Sequence, residues 1–272
     1  EKPVFRGSLL RTLPAVFNYT EIQADASEPP FVSDVWLPEI QFMAARAQPN
    51  SDRGLYLAAK GGHNAESHNH NDVGHFVVYA NGHPILIDVG VETYSAKTFS
   101  SERYDIWTMQ SAYHNLPTIR GLQQQDGRDF RAQDVAYQYD DSIAELSLDI
   151  SPAYPQAAGV CRWRRKLRLH RKTQPYIEVI EDFALDQPSD ITLSLMTPHK
   201  PQVCTPGIIH LQDPQIELIF AEEKLAVEVE QIRIADARLN AVWGDHLYRI
   251  LLHSKKPTEK GLWQLMVKEH TP

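Results

Sequence analysis

Two cysteines in 272 residues, Cys161 and Cys204, are too few for a disulfide framework or a four-cysteine zinc site. They leave two expectations: a single bridge in an exported protein, or two buried free thiols. Nothing approaches the roughly 20 consecutive apolar residues of a membrane span; the longest apolar runs are as short as Pro84-Ile85-Leu86-Ile87. A cationic excess is missing too. Thirty-five acidic against 27 basic residues leave a net charge of −8, which argues against a nucleic-acid partner. The same charge gives no general attraction for an acidic polymer, so binding one would require a local patch. The opening residues Glu1-Lys2-Pro3-Val4-Phe5-Arg6 contain no starting Met and no apolar leader core, so the chain is expected to begin inside a longer protein.

Helical periodicity is also scarce. Residues 1–35 read as the tail of a helical domain, with Ser8-Leu9-Leu10-Arg11-Thr12-Leu13, followed by a polar linker ending in Glu28-Pro29-Pro30. Beyond it only Ser101–Ser111 suggests an amphipathic helix. From residue 36 to 272 the pattern is strands and turns. Phe76–Tyr79, Asn81-Gly82 and Pro84–Asp88 form the clearest hairpin, because Asn-Gly supplies the positive φ angles of a tight two-residue turn. Ile191-Thr-Leu-Ser-Leu alternates apolar and polar, and further strands are expected at 54–60, 143–150, 160–172, 176–185, 216–221, 225–229, 247–253 and 262–268. Many strands without helical crossovers imply antiparallel pairing, and so an all-β fold, a large two-sheet sandwich.

What the chain has in abundance is histidine in one place. Of 12 histidines, five (His63, His68, His70, His75 and His83) fall within residues 63–83. Crowded imidazole and carboxamide groups are costly in a core but ordinary at a metal or catalytic site. A His-x-His pair on extended backbone shares one side of the chain. Asp88 ends the next strand and His114 lies further on, so two histidines, a carboxylate and water make a zinc shell. The hairpin geometry by itself sets His75 opposite Asp88; His70 reaches Asp88 only if residues 71–74 curl back, which Gly74 permits. A polar surface loop without metal stays open on spacing alone.

Arg162, Arg164, Lys166, Arg168, His170 and Lys172 share one face of an expected strand. That face either grips acidic sugar or is a solvated surface paired with Glu178 and Asp182, and the second reading is preferred.

The segments His68-Asn-His70-Asn-Asp72-Val-Gly74-His-Phe76, Pro84-Ile-Leu-Ile-Asp88-Val-Gly90, Ala112-Tyr-His114-Asn115 and Gly121-Leu-Gln123-Gln124 together resemble the heparinase II/III-like family. The resemblance implies that residues 36–272 are a C-terminal β-sandwich that packs on an N-terminal α/α toroid missing from this chain. It implies that His70, Asp88 and His114 hold a structural Zn2+, and that His68 is the sandwich's catalytic residue. Arg103 and Asn115 are candidate substrate contacts. The implied reaction is β-elimination at a uronic acid in a polysaccharide such as heparin, heparan sulfate or alginate. The fragment is then expected to be inactive without its toroid, and the whole protein to be periplasmic or secreted. Members of the family often pair, which makes a homodimer a further expectation. His75 and Leu116-Pro117 depart from the family's pattern. Two rivals remain: a non-catalytic carbohydrate-binding sandwich with a structural zinc, and a zinc-dependent hydrolase.

Overall fold

The structure, a computed structural model, describes residues 9–24, 31–212 and 215–270. Two helices come first, α1 (Leu9–Phe17) and α2 (Tyr19–Ala24). The expected linker ending at Pro30 lies mostly outside the described residues. Nineteen strands follow among the described residues. Those of the first half are β1 (Asp34–Leu37), β2 (Phe42–Arg46), β3 (Leu55–Lys60), β4 (His63–Asn64), β5 (Phe76–Ala80), β6 (His83–Leu86), β7 (Pro117–Ile119), β8 (Gly127–Arg131), β9 (Gln133–Tyr139) and β10 (Ile143–Asp149). The second half contributes β11 (Val160–His170), β12 (Tyr176–Ser189), β13 (Ile191–Thr197), β14 (Gln202–Thr205), β15 (Ile208–Leu211), β16 (Ile216–Phe220), β17 (Leu225–Arg233), β18 (His246–Ser254) and β19 (Thr258–Glu269). A third helix, α3 (Ala237–Trp243), sits between β17 and β18 and is capped by Asp236, whose carboxylate accepts from the Arg238 and Leu239 amides.

One layer of the sandwich is an eight-stranded sheet in the order β14-β15-β16-β19-β12-β11-β10-β9. The opposing layer is divided between the five-stranded sheet β1-β2-β3-β5-β6 and the four-stranded sheet β17-β18-β13-β7. The Ile87 amide donates to the Met196 carbonyl at 2.9 Å and bridges the two pieces. Every pairing within these sheets is antiparallel, as expected. The large core cluster draws Leu57, Phe76, Leu146, Trp163, Phe183 and Leu252 from both layers. Full burial of each such side chain contributes about 1.5–3 kcal/mol.

Strand β11 shows how sequence parity becomes architecture. Its odd positions Trp163, Arg165, Leu167 and Leu169 are buried. Its even positions face outward, where Arg162 meets Asp182 at 2.6 Å and Arg168 pairs with Glu145 and Glu178. The cationic face is therefore a paired, solvated surface.

Three expectations need correction. Ser101–Ser111 is not an α-helix: Arg103–Asp105, Trp107–Met109 and Ser111–Tyr113 are separate 3-10 turns. Each turn ends where the chain becomes extended at Ile106, Gln110 and His114. The Met109 carbonyl in this segment accepts instead from the distant Asn71 amide. Cys161 and Cys204 are both free and exposed, so they are neither bridged nor buried. Finally, the Asn81-Gly82 turn forms with φ values of 53° and 78°, but the ladder slips beyond it. Ala80 pairs His83 and Tyr79 pairs Pro84, whereas Val78 pairs Leu86. The extra residue, Ile85, takes Asp88 out of direct register with His75.

Candidate metal centre and substrate face

The segment between β4 and β5 has almost no ladder of its own, so buried side-chain amides take the ladder's place. The Asp72 amide donates to Asn64 Oδ1 at 3.1 Å, and the Val73 amide donates to Gln124 Oε1 at 3.0 Å. Gln124 Nε2 returns a bond to the Val73 carbonyl at 2.8 Å. Gly74 then turns the chain with φ +83°, and a Cβ there would lie 2.6 Å from Ile150 Cγ2. Only glycine meets both demands.

This path carries His70 to Asp88 and His114, the three residues expected to act together. His70 Nδ1 is 3.0 Å from His114 Nε2, and Asp88 Oδ2 is 3.5 Å from His114 Nε2 and 4.0 Å from His70 Nδ1. A tetrahedral zinc with ligands about 2.0–2.1 Å away sets donor atoms roughly 3.3 Å apart, and these separations straddle that value. His114 Nδ1 donates to the Gln110 carbonyl at 2.9 Å, which leaves the Nε2 lone pair aimed at the cluster. Asp88 Oδ1 accepts from the Gly90 amide at 2.7 Å, which leaves Oδ2 for the histidines. Two imidazoles and a carboxylate suit zinc and its first-row neighbours.

The electrostatics match a cluster built around one anion. Burial alone would raise the Asp88 carboxyl, but the hydrogen bond to His114 and the three nearby imidazoles hold it far below the usual carboxylate range. Burial would likewise depress His114, yet the bond and charge of Asp88, with Asp72 and the Gln110 carbonyl, together outweigh that and raise it. His70 is lowered by burial and then by His114. A bound cation would displace the proton that Asp88 otherwise draws onto His114.

His75 also reaches the cluster, with Nε2 3.7 Å from Asp88 Oδ2. Its Nδ1 accepts from the Asn115 amide at 3.0 Å. A neutral imidazole has one N–H and one lone pair, so Nε2 carries the hydrogen and has no lone pair for a cation. Burial, and then His114, push His75 down to about 3, so the ring is neutral. The geometry therefore leaves His75 as a donor facing the Asp88 carboxylate, and His70 as the imidazole that could join Asp88 and His114 around a cation.

His68 lies elsewhere. It is exposed, its backbone is left-handed at φ 59°, and its ring stacks on Tyr94 with centroids 6.4 Å apart. The extended His-x-His geometry is thus not formed: His70 turns inward and His68 outward. A histidine at positive φ is uncommon and marks a conformation imposed by its surroundings. Those surroundings are fastened by Arg103, which donates to the Thr98 and Asn69 carbonyls, each at 2.9 Å. Tyr104 Oη adds a bond to Asn69 Oδ1 at 3.1 Å. Arg103 therefore braces the His68 turn.

Asn115, expected at the substrate, is fully buried. Its Nδ2 donates to the Phe76 carbonyl at 2.7 Å, and its Oδ1 accepts from the Met196 amide at 2.7 Å. Those bonds make it a brace between the two pieces of the split layer. Trp107 and Tyr113 pack edge to face in a small satellite core.

The sequence reading missed Arg165 and Glu181. They are register partners on β11 and β12, both buried, with Arg165 Nη2 2.5 Å from Glu181 Oε1. Arg165 Nη1 donates to the Gly74 carbonyl at 2.7 Å and to the Asn115 carbonyl at 2.8 Å. One guanidinium therefore holds the two chain segments that deliver the histidines of the cluster. The signal was present in the sequence: Arg165 is the one charge on the apolar face of an alternating strand.

The profile of the family described as Heparinase II/III-like, C-terminal, matches residues 33–259. Heparan sulfate lyase HepC from Pedobacter heparinus superposes with a TM-score of 0.71 at 16% identity, over 95% of this chain and 40% of that one. Two heparinase III structures superpose at 0.71 and 0.67, with 14% and 13% identity, over 95% and 96% of this chain and 40% and 42% of theirs. At such identities the likeness is one of fold. The chain spans about two fifths of the length of these structures. A search of curated proteins returned no match.

Proposed function

This chain belongs to the heparinase II/III-like C-terminal family, and from that premise we propose that it is the sandwich half of a polysaccharide lyase acting on a uronate-containing polymer. The observation that carries the reading is the pairing of two buried histidines and a half-buried carboxylate with an exposed, conformationally constrained His68 two residues from His70.

In this reading His70, Asp88 and His114 hold a zinc ion that fixes the fold of the loop. When bound, that ion supplies positive charge and a rigid anchor. His75 orients Asp88, and Arg103 with Tyr104 fixes the turn that presents His68. Elimination removes the proton at C5 of the uronate, breaks the bond to the leaving oxygen at C4 and returns a proton to that oxygen. The carboxylate beside C5 must be neutralised as charge develops. The His68 imidazole serves either as a donor to that carboxylate or as a base toward the C5 proton. An exposed ring stacked on Tyr94 is accessible for both. The remaining proton-transfer groups belong to a helical partner domain, so residues 1–272 alone turn over slowly. A periplasmic or secreted location completes the proposal.

The test is His68→Ala and His68→Asn in the full-length protein, read by the ultraviolet absorbance of the unsaturated uronate product. A loss of roughly 10²–10⁴-fold in both supports a base role. Partial retention in His68→Asn, which tolerates a left-handed backbone and keeps a donor, supports the carboxylate role. Unchanged rates would reduce the sandwich to a carbohydrate-binding module. Products without the conjugated double bond would point to hydrolysis.

A further inference from the structure

A second cluster lies far along the chain, on the outer face of the eight-stranded sheet. Across β15, β16 and β19 the ladders place His210 opposite Glu217 and Glu217 opposite Lys268. His270 follows Lys268 by two positions and so falls on the same face. The neighbours Ile209, Leu211, Ile216, Leu218 and Val267 are buried, which fixes this row as the outward one. His270 Nδ1 is 2.7 Å from Glu217 Oε1, and His210 Nδ1 is 3.8 Å from the same oxygen. The two rings are nearly perpendicular, at 86°, with centroids 5.7 Å apart. One ligand atom from each of the three residues lies within 4.8 Å of the others.

We propose that His210, Glu217 and His270 form a second site for zinc or a neighbouring first-row transition ion, separate from the cluster at Asp88. The donor set is two imidazoles and one carboxylate, the composition that favours such ions over calcium or magnesium. Lys268 Nζ binds the other carboxylate oxygen, Oε2, at 3.1 Å, so Oε1 faces the two imidazoles, and a cation would take the place of the hydrogen that His270 Nδ1 now shares with it at 2.7 Å. His270 is held in place by its amide, which donates to the Gln215 carbonyl at 2.9 Å. Glu217 is largely buried while both imidazoles are reachable, so the fourth coordination position opens to a hollow lined by Gln202, Gln212 and Gln215. An ion there would pin β15 and β16 to the end of β19, at the edge of the sheet.

The experiment is zinc titration of the chelator-stripped chain by calorimetry, with elemental analysis after dialysis. It is run on the wild type, His114→Ala, His270→Ala, Glu217→Gln and the His114→Ala/His270→Ala double variant. The expected result is two equivalents in the wild type, one in each single variant and none in the double. Cobalt(II) loaded into His114→Ala should show the visible absorption of a four-coordinate site, lost when His270→Ala is added. If His270→Ala and Glu217→Gln bind as much zinc as the wild type, the proposal falls and the three residues are an ion-pair network. A single wild-type equivalent lost only in His270→Ala would support this site while removing the metal from Asp88.

Discussion

The two histidine–carboxylate clusters of this sandwich are built in opposite ways. At Asp88 the candidate ligands arrive on irregular backbone, and buried amides and one buried ion pair hold that backbone. At Glu217 they arrive on β15, on β16 and one residue past the end of β19, and ladder register with one further backbone bond sets their spacing. The first design buries both imidazoles, at the cost of depending on groups far outside the cluster. The second depends on little beyond the strands themselves.

Removing the brace should separate them most. Glu181→Ala leaves Arg165 buried without its counterion, a change that costs about 3–5 kcal/mol. Denaturant unfolding should show that loss, and the variant should lose zinc at the Asp88 cluster while keeping it at Glu217. Retention at both clusters would mean that the brace does not govern the first one.

A smaller effect is expected from Asp149, whose Oδ1 accepts from the Ser151 amide at 2.8 Å and the Trp163 amide at 3.1 Å, beside the Ile150 that packs under Gly74. Burial would raise its carboxyl, but these amides and Gln133 hold it below the ordinary value. Because the folded value lies below the unfolded one, the stabilisation is complete above about pH 3.9 and fades as pH falls through the folded value. Asp149→Ala should cost about 1.5–3 kcal/mol at neutral pH, and the gap to wild type should close on acidification. A pH-independent gap would assign the effect to packing.

The smallest effect belongs to the outward face of β11. Arg162→Ala, which removes an exposed pair with Asp182, should shift stability by no more than about 0.5 kcal/mol and leave both clusters intact.

Much of this was legible in the sequence because it depends on local rules. The Asn81-Gly82 hairpin and the alternation along β11 and β13 follow from period and turn chemistry, whereas the grouping of His70 with Asp88 and His114 came from the family resemblance, since hairpin geometry alone set His75 opposite Asp88. Strand β2, Phe-Met-Ala-Ala-Arg, escaped because it has no β-branched residue and is a strand by virtue of pairing with β1 and β3. The His-x-His geometry failed because parity holds only on extended backbone, and His68 is left-handed. Asn115 read as a loop residue free to meet substrate, whereas its side chain is buried and bonded to the Phe76 carbonyl and the Met196 amide. Arg165 could have been found by parity alone, since β11 and β12 each place one charge on an otherwise apolar face.

Arg165 also bears on the order of events as the chain folds. It lies 91 positions from Gly74 and 50 from Asn115, so its two carbonyl bonds close long loops. Such closures are entropically unfavourable until other contacts have brought the segments together. The β11–β12 pairing that sets Arg165 against Glu181 is by contrast a local hairpin. The hairpin should therefore form early and wait, with its guanidinium as the template on which the histidine loop is laid down last.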